Sequence, residues 1–428
     1  MFFQTLVALP LSDFTPRPLL SYPSRSRKAK GFAALLTVML TLLCHFPAAI
    51  AENATPQTSL KQGLVSGNSE FAVQLYHRLG DDSVRNLFFS PYSVSSALGM
   101  TYVGALGNTA DEMKAALHFK YDQNQLADAF KSYNRELISL SRADGQKLRI
   151  ANGLCLTGGN VSEAYKAILH ESFDAEMFSG GLDQVNSWVA QKTEGKIPTI
   201  LDQLDANSVC VILNAIYFKG TWESQFQKNV TRAAAFMVSP SKQVTTQLMY
   251  QKDNFKMLED EELQAISIPY KGNALSMVVL LPKDLDGLAS LEKKLTAQSL
   301  AGWMERLDQQ ESRSVKLYFP KFTMETDYDL VAPLSRMGML EAFGSGADFS
   351  GMGWAKGALY ISQIKHKAFV DVNEEGTEAA AATAVEMATK SMPFEPEFRA
   401  DHPFLFLIRD NRNGTLLFIG RVCEPTTK

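Results

Sequence analysis

Residues 371–404 read DVNEEGTEAAAATAVEMATKSMPFEPEFRADHPF, and the rest of the chain is organised around them. The stretch opens as the end of a strand, because Ala368, Phe369, Val370 and Val372 make a short apolar run. It then turns to small residues, Ala379 to Ala382 and beyond. Poly-alanine favours helix, yet a helix here would carry almost no apolar stripe to hold it against a core. With strand period, Thr377, Ala379, Ala381, Thr383, Val385 and Met387 share one face. Glu378, Ala380, Ala382, Ala384 and Glu386 share the other, so both charges fall on one side. Alanine is a poor strand former. The segment therefore reads as able to live in two states, an exposed loop or a half-buried strand. An exposed Ala-rich helix or a flexible tether is the competing reading of the composition.

The motifs narrow this. Glu374-Glu375-Gly376-Thr377-Glu378-Ala379-Ala380-Ala381-Ala382-Thr383 resembles the hinge of the reactive-centre loop of inhibitory serpins, and FRADHPFLFLI at 398–408 resembles the C-terminal signature of that family. FFSPYSVSSALGM resembles its helix B, NAIYFKGTW the third strand of its central sheet, NSWVAQKTEGKI the end of its helix F, and YFPKF a further strand of that sheet. The resemblance covers residues 63 to 425. It implies an α+β fold, with three β-sheets surrounded by eight to nine helices and a central sheet able to accept the loop. It also implies a hydrogen-bonded shutter of Ser90, Ser93, Asn214 and His366 under the central strands, and a Lys321–Glu374 pair beside Trp222 at the breach where the loop enters.

The residues themselves support the same class. Pro91 follows Ser90 at the start of a helix, where a missing N–H costs nothing. Asn68 and Ser69 are expected to cap a helix carrying Phe71, Leu75 and Leu79. Residues 109–117, 125–140 and 187–200 read as helices, the last stopped at Gly195. Residues 149–157, 209–218, 264–269, 275–282, 315–323, 365–372, 404–409 and 416–422 read as strands, with Asn413-Gly414 turning the last pair. Helices dominate the first half and strands the second, which is α+β patterning.

Residues 1–51 read as a signal peptide. Arg25, Arg27, Lys28 and Lys30 precede an apolar run from Phe32 to Leu43, and Ala49-Ile50-Ala51 supplies the cleavage site. That run is shorter than the ~20 residues that span a bilayer. Residues 52–62 read as a flexible linker and 63–428 as a single domain, with the loop at about 374–398. The product is expected to be secreted, or periplasmic in a bacterium, and free of membrane once cleaved. The tail FEPEFRADHPF nevertheless resembles intracellular, ovalbumin-like serpins more than plasma ones. Asn53, Asn160, Asn229 and Asn413 begin glycosylation sequons. Cys44 leaves with the signal, and Cys155, Cys210 and Cys423 are expected as buried thiols without a disulfide framework.

Enzyme motifs are missing: there is no G-x-S-x-G, H-E-x-x-H, phosphate loop or dinucleotide fingerprint. The six histidines do not cluster with cysteine at metal spacing, so neither metal nor cofactor is expected. A net charge of −4 gives no reason for nucleic acid. Residues 122–141 hold only Lys131 and Arg135 as basic groups, too few for strong heparin binding. A monomer is expected.

The bait is readable. Between Lys367 and Arg399 the only basic residue is Lys390. A trypsin-like pocket carries a carboxylate and demands such a residue, which selects Lys390-Ser391. In the resembling inhibitors the cleaved residue lies fourteen positions after the hinge glycine, here Gly376 to Lys390. The partner implied is a trypsin-like serine protease trapped as an acyl-enzyme. Two alternatives stay open. One is a non-inhibitory carrier, storage protein or chaperone. The other is an elastase- or subtilisin-like target cutting near Met387 or Ala388.

Overall fold

Period and punctuation place most of the elements. In this computed structural model, which describes residues 56–80, 84–140, 145–156, 158–179, 181–203, 210–377 and 395–425, the first half contributes α1 (Pro56–Leu79), β1 (Leu87–Phe89), α2 (Pro91–Tyr102), α3 (Gly107–Ala116), α4 (Gln123–Leu140), β2 (Gln146–Leu156), α5 (Glu163–Phe173), β3 (Ala175–Phe178) and α6 (Leu182–Lys192). The second half is strand-rich: β4 (Cys210–Thr221), β5 (Arg232–Ser239), β6 (Lys242–Glu259), β7 (Leu263–Pro269), β8 (Leu275–Pro282), α7 (Leu288–Lys294), α8 (Ala297–Asp308), β9 (Arg313–Pro320) and β10 (Phe322–Asp329). It closes with α9 (Val331–Arg336), β11 (Ile361–Val372), β12 (Gly376–Thr377), β13 (Glu397–Arg399), β14 (Phe404–Asp410) and β15 (Leu416–Val422).

The sheet that positions the site runs β10-β11-β4-β2-β3, with β12 pairing β4. Its two central strands, β11 and β4, are parallel neighbours from Ile361/Cys210 to Phe369/Tyr217. Along β4 the side chains alternate. Cys210, Ile212, Ile216 and Phe218 join the main core, while Val211, Leu213, Ala215 and Tyr217 pack with Val185, Trp188 and Val189 of α6. Both faces of the strand are thus covered, which is why it reads as an unbroken apolar run.

Two expectations need correction. Helix α1 starts at Pro56, so residues 56–62, expected as linker, are helical. Asn68 therefore caps nothing; it lies mid-helix, buried, and its amide donates to the Leu416 carbonyl at 3.0 Å. Among the described residues the expected sheets are continuous through the 18-residue β6, which pairs in turn with β5, β9 and β7 and joins nine strands into one ladder. Two element ends also move. The expected strand at 315–323 breaks between Pro320 and Phe322, and α6 ends before Thr193, with Glu194 and Gly195 both at positive φ.

Candidate functional site: the floor and mouth of the central sheet

The floor is built from α2 and one row of the sheet. Pro91 opens α2 and Ser90 caps it, its hydroxyl accepting from the Ser93 N–H at 3.1 Å. Above the cap, His366, Asn214 and Asn152 are direct register partners across β11, β4 and β2. The Ser90 N–H donates to His366 Nε2 at 3.2 Å. Nε2 therefore carries no proton, and Nδ1–H donates to Asn214 Oδ1 at 2.6 Å. Burial pushes this imidazole down to about 3, so it is neutral at physiological pH. Asn214 Nδ2 donates to Ser93 Oγ at 2.7 Å and to Asn152 Oδ1 at 2.8 Å. Asn152 in turn donates to Ser96 Oγ at 3.1 Å. The four residues expected at the shutter are therefore in one network. Sequence reasoning missed Asn152 and Ser96. The i, i+3, i+6 spacing of Ser90, Ser93 and Ser96 on α2 was the available signal for the serine, and nothing local marks Asn152.

The mouth lies further along, at the C-terminal end of β4. Above Phe369/Tyr217 the two central strands stop pairing, and β4 instead pairs antiparallel with the hinge, Gly376 to Thr221 and Thr377 to Gly220. Gly376 has φ +139°, and a Cβ there would stand 2.0 Å from the Gly220 carbonyl oxygen, so the motif glycine is required by both backbone angle and space. Trp222 is buried and stacks on Tyr270 with ring centres 4.6 Å apart. Its indole N–H donates to the Asn373 carbonyl at 3.0 Å and its backbone N–H to Glu375 at 3.1 Å.

Glu374 is buried beside it. One carboxylate oxygen lies 2.8 Å from Lys321 Nζ and the other accepts the Thr231 hydroxyl at 2.8 Å. Burial pushes this carboxyl up, but Lys321, a backbone N–H and Thr231 outweigh it and hold it below the usual carboxylate range. Glu375 pairs with Lys228. Lys321, Glu374 and Trp222 thus meet at one point, with Thr231 and Lys228 as partners that the motifs did not mark.

Glu378, Ala379, Ala380, Ala381, Ala382, Lys390, Ser391 and Asn53 lie outside the described residues. Of the other sequons, Asn160 and Asn229 are exposed, while Asn413 is half-buried and its Thr415 fully buried. Cys155, Cys210 and Cys423 are buried and in no disulfide. Among the described residues no group of side chains could hold a metal ion, and no helix is long and apolar enough to cross a membrane.

Comparison with known proteins accords with this arrangement. Residues 66–425 match the family model described as Serpin (serine protease inhibitor). Serpin B8 of Homo sapiens is 41% identical over 378 residues, and leukocyte elastase inhibitor A of Rattus norvegicus 40% over 390, each alignment covering 85% of this chain and 99% of the relative. The crystal structure of Serpin48, described as a highly specific serpin of the insect Tenebrio molitor, superposes with a TM-score of 0.76 at 30% identity, over 85% of this chain and 99% of that one. The chain belongs to the serpin family of serine protease inhibitors.

Proposed function

We propose that this serpin is a secreted suicide inhibitor of trypsin-like serine endopeptidases, with Lys390-Ser391 as the bait bond and loop insertion between β4 and β11 as the trap. The observation that carries the reading is the pairing of Gly376 and Thr377 with the end of β4. Continued in the same register, Ala379, Ala381, Thr383, Val385 and Met387 meet Phe218, Ile216, Asn214, Ile212 and Cys210, which face the main core. Glu378 and Glu386 would meet Lys219 and Val211, on the other face of β4. If the register of the isolated bridge Asn373–Gly376 were continued against β11, Ala380 would fall opposite Phe369, the residue already paired with Tyr217. The registers from both sides of the slot agree. Small side chains on the core-facing parity cost little volume or entropy on insertion.

The chemistry is then an interrupted hydrolysis. The protease serine adds to the Lys390 carbonyl, its proton passes through the protease histidine to the leaving nitrogen, and Ser391 departs as a new amino terminus. The ester remains on Lys390. Insertion must outrun deacylation, and proteases turn over at about 1–10³ s⁻¹. The strain released by such insertion is the work that translocates the tethered protease. The chain acts as an inhibitor and not as an enzyme. It acts as a monomer without cofactor, and it is exported after cleavage behind Ala51, with glycans on exposed sequons where the host adds them.

A second reading draws on a relative's name: leukocyte elastase inhibitor A is 40% identical, which favours an elastase-like protease cutting near Met387 or Ala388. Incubation with trypsin and with elastase, followed by denaturing electrophoresis and mass analysis of the released peptide, separates the readings. A stable trypsin complex and a peptide beginning at Ser391 are expected, and both should vanish in Lys390→Glu. Clean cleavage without complex by either protease would point to a non-inhibitory serpin. Amino-terminal sequencing of the exported protein should begin at Glu52.

A further inference from the structure

The far end of the loop is anchored by charge. On β6 and β9, Lys252 and Lys316 are direct cross-strand partners. Like charges placed opposite each other on a sheet repel. Glu395, the first described residue after the bait segment, reaches both, 2.5 Å from Lys252 Nζ and 3.4 Å from Lys316 Nζ, with its side chain only 17% exposed. The ladder of β13 begins one residue later, where the Lys316 N–H donates to the Pro396 carbonyl at 3.0 Å. One row over, the Arg399 guanidinium lies 3.7 Å from the Tyr318 ring centre, and that ring packs on Tyr250 at 4.9 Å. β13 itself is three residues long, parallel to β9, at the sheet edge. So short a ladder holds weakly by hydrogen bonds alone.

We infer that Lys252, Glu395 and Lys316 form a charged clasp that fixes the C-terminal limb of the loop and so sets how the bait bond is presented to the protease, with Glu395 as the positioning residue. This rests on the Lys390 reading. Lys390 lies five residues before Glu395, so the clasp keeps the bait within about 17 Å of this anchor. The hinge is at the other end of the loop and is not touched. The clasp therefore governs encounter with the protease, and not the race between trapping and release. An isolated surface ion pair contributes little. Removing this carboxylate does more, because Lys252 and Lys316 stand directly opposite each other and lose the anion they share.

The test compares full-length wild type, Glu395→Gln, Lys252→Gln with Lys316→Gln, and the triple variant. Glu395→Gln should associate with trypsin roughly tenfold more slowly, and the deficit should shrink at high salt. Its stoichiometry of inhibition should stay unchanged. The triple variant should recover most of the rate, because the repulsion is gone. Hydrogen exchange at the Phe398, Arg399 and Ala400 amides should quicken in Glu395→Gln and slow again in the triple variant. Unchanged rate and exchange in Glu395→Gln would overturn the clasp, as would a triple variant slower than the single one. If wild type forms no complex with trypsin, the bait reading fails instead, and the exchange pattern still decides whether the clasp holds the limb.

Discussion

His366 makes the floor of the sheet sensitive to acid. Its pKa is lowered by burial from 6.5 to about 3, so between those values the unfolded chain binds a proton here that the folded chain does not. Stability from this residue is complete above the unfolded value and is lost as pH falls toward the folded one, by up to about 1.4 kcal/mol per unit. Urea melts at pH 7.5, 6 and 5 should show a steeper loss in wild type than in His366→Gln, which has no imidazole to charge; equal slopes would contradict the neutral, buried state. The hinge offers a second single-residue test. In the register begun by β12, Thr377 lies opposite Gly220 on the parity that leads into the main core, whereas Glu378 would lie opposite Lys219 on the other. Thr377→Arg should therefore turn the inhibitor into a substrate, since an unpaired charge on the core face costs several kcal/mol. Glu378→Arg should keep most of its trapping. The measure is inhibitor consumed per protease trapped, and equal rises in both variants would show that facing is not what matters.

At the scale of elements, the polar row across β11, β4 and β2 is held by one side chain that no motif announced. Asn152 accepts from Asn214 and donates to Ser96 and to the Phe173 carbonyl. Asn152→Ala strips partners from groups that stay buried, and each such group costs about 1–3 kcal/mol. A loss of at least 2 kcal/mol in urea unfolding is expected, and a loss below about 0.5 kcal/mol would mean the row is not cooperative. The contrast between Asn152 and Asn214 shows what a single sequence carries. Asn214 stands inside an apolar strand within a recognisable motif, so it was found. Asn152 acquires its role only from the β2–β4 register, a pairing across 62 residues that no local pattern encodes. β4 was legible because both its faces are buried. β6 was not, because its exposed face breaks the apolar run. The start of α1 is not legible because Asn68 has the chemistry of a cap, and only the packing of α1 against β15 reveals another partner. The mouth was legible in Glu374, Gly376, Trp222 and Lys321, while Thr231 and Lys228 are surface residues whose partners come from far along the chain.

At the scale of the whole molecule, the proposed function turns on one of the sheet's two parallel pairs, the one at its centre. β11 and β4 are parallel neighbours, although β11 pairs antiparallel with β10 and β4 antiparallel with β2. Parallel pairing is the slightly weaker form, and this pair runs only from Ile361/Cys210 to Phe369/Tyr217 before the hinge takes its place beside β4. A strand entering here in the direction of β12 would be antiparallel to both neighbours. It would replace one weak ladder by two stronger ones and bring Thr383 between Asn214 and His366, where a hydroxyl can both donate and accept. The intact protein would then sit above a more stable arrangement, kept from it by the continuity of the loop. Nicking at Lys390 with catalytic protease should release it. The melting temperature by circular dichroism should rise by on the order of 10 °C, since about 1 kcal/mol moves it by ~2 °C in a large domain. The nicked form should also lose its ability to trap protease, because the slot is filled. A nicked protein that melts where the intact one does, with cleavage verified by mass, would mean that the loop stays out and that the parallel pair is an ordinary part of a static sheet.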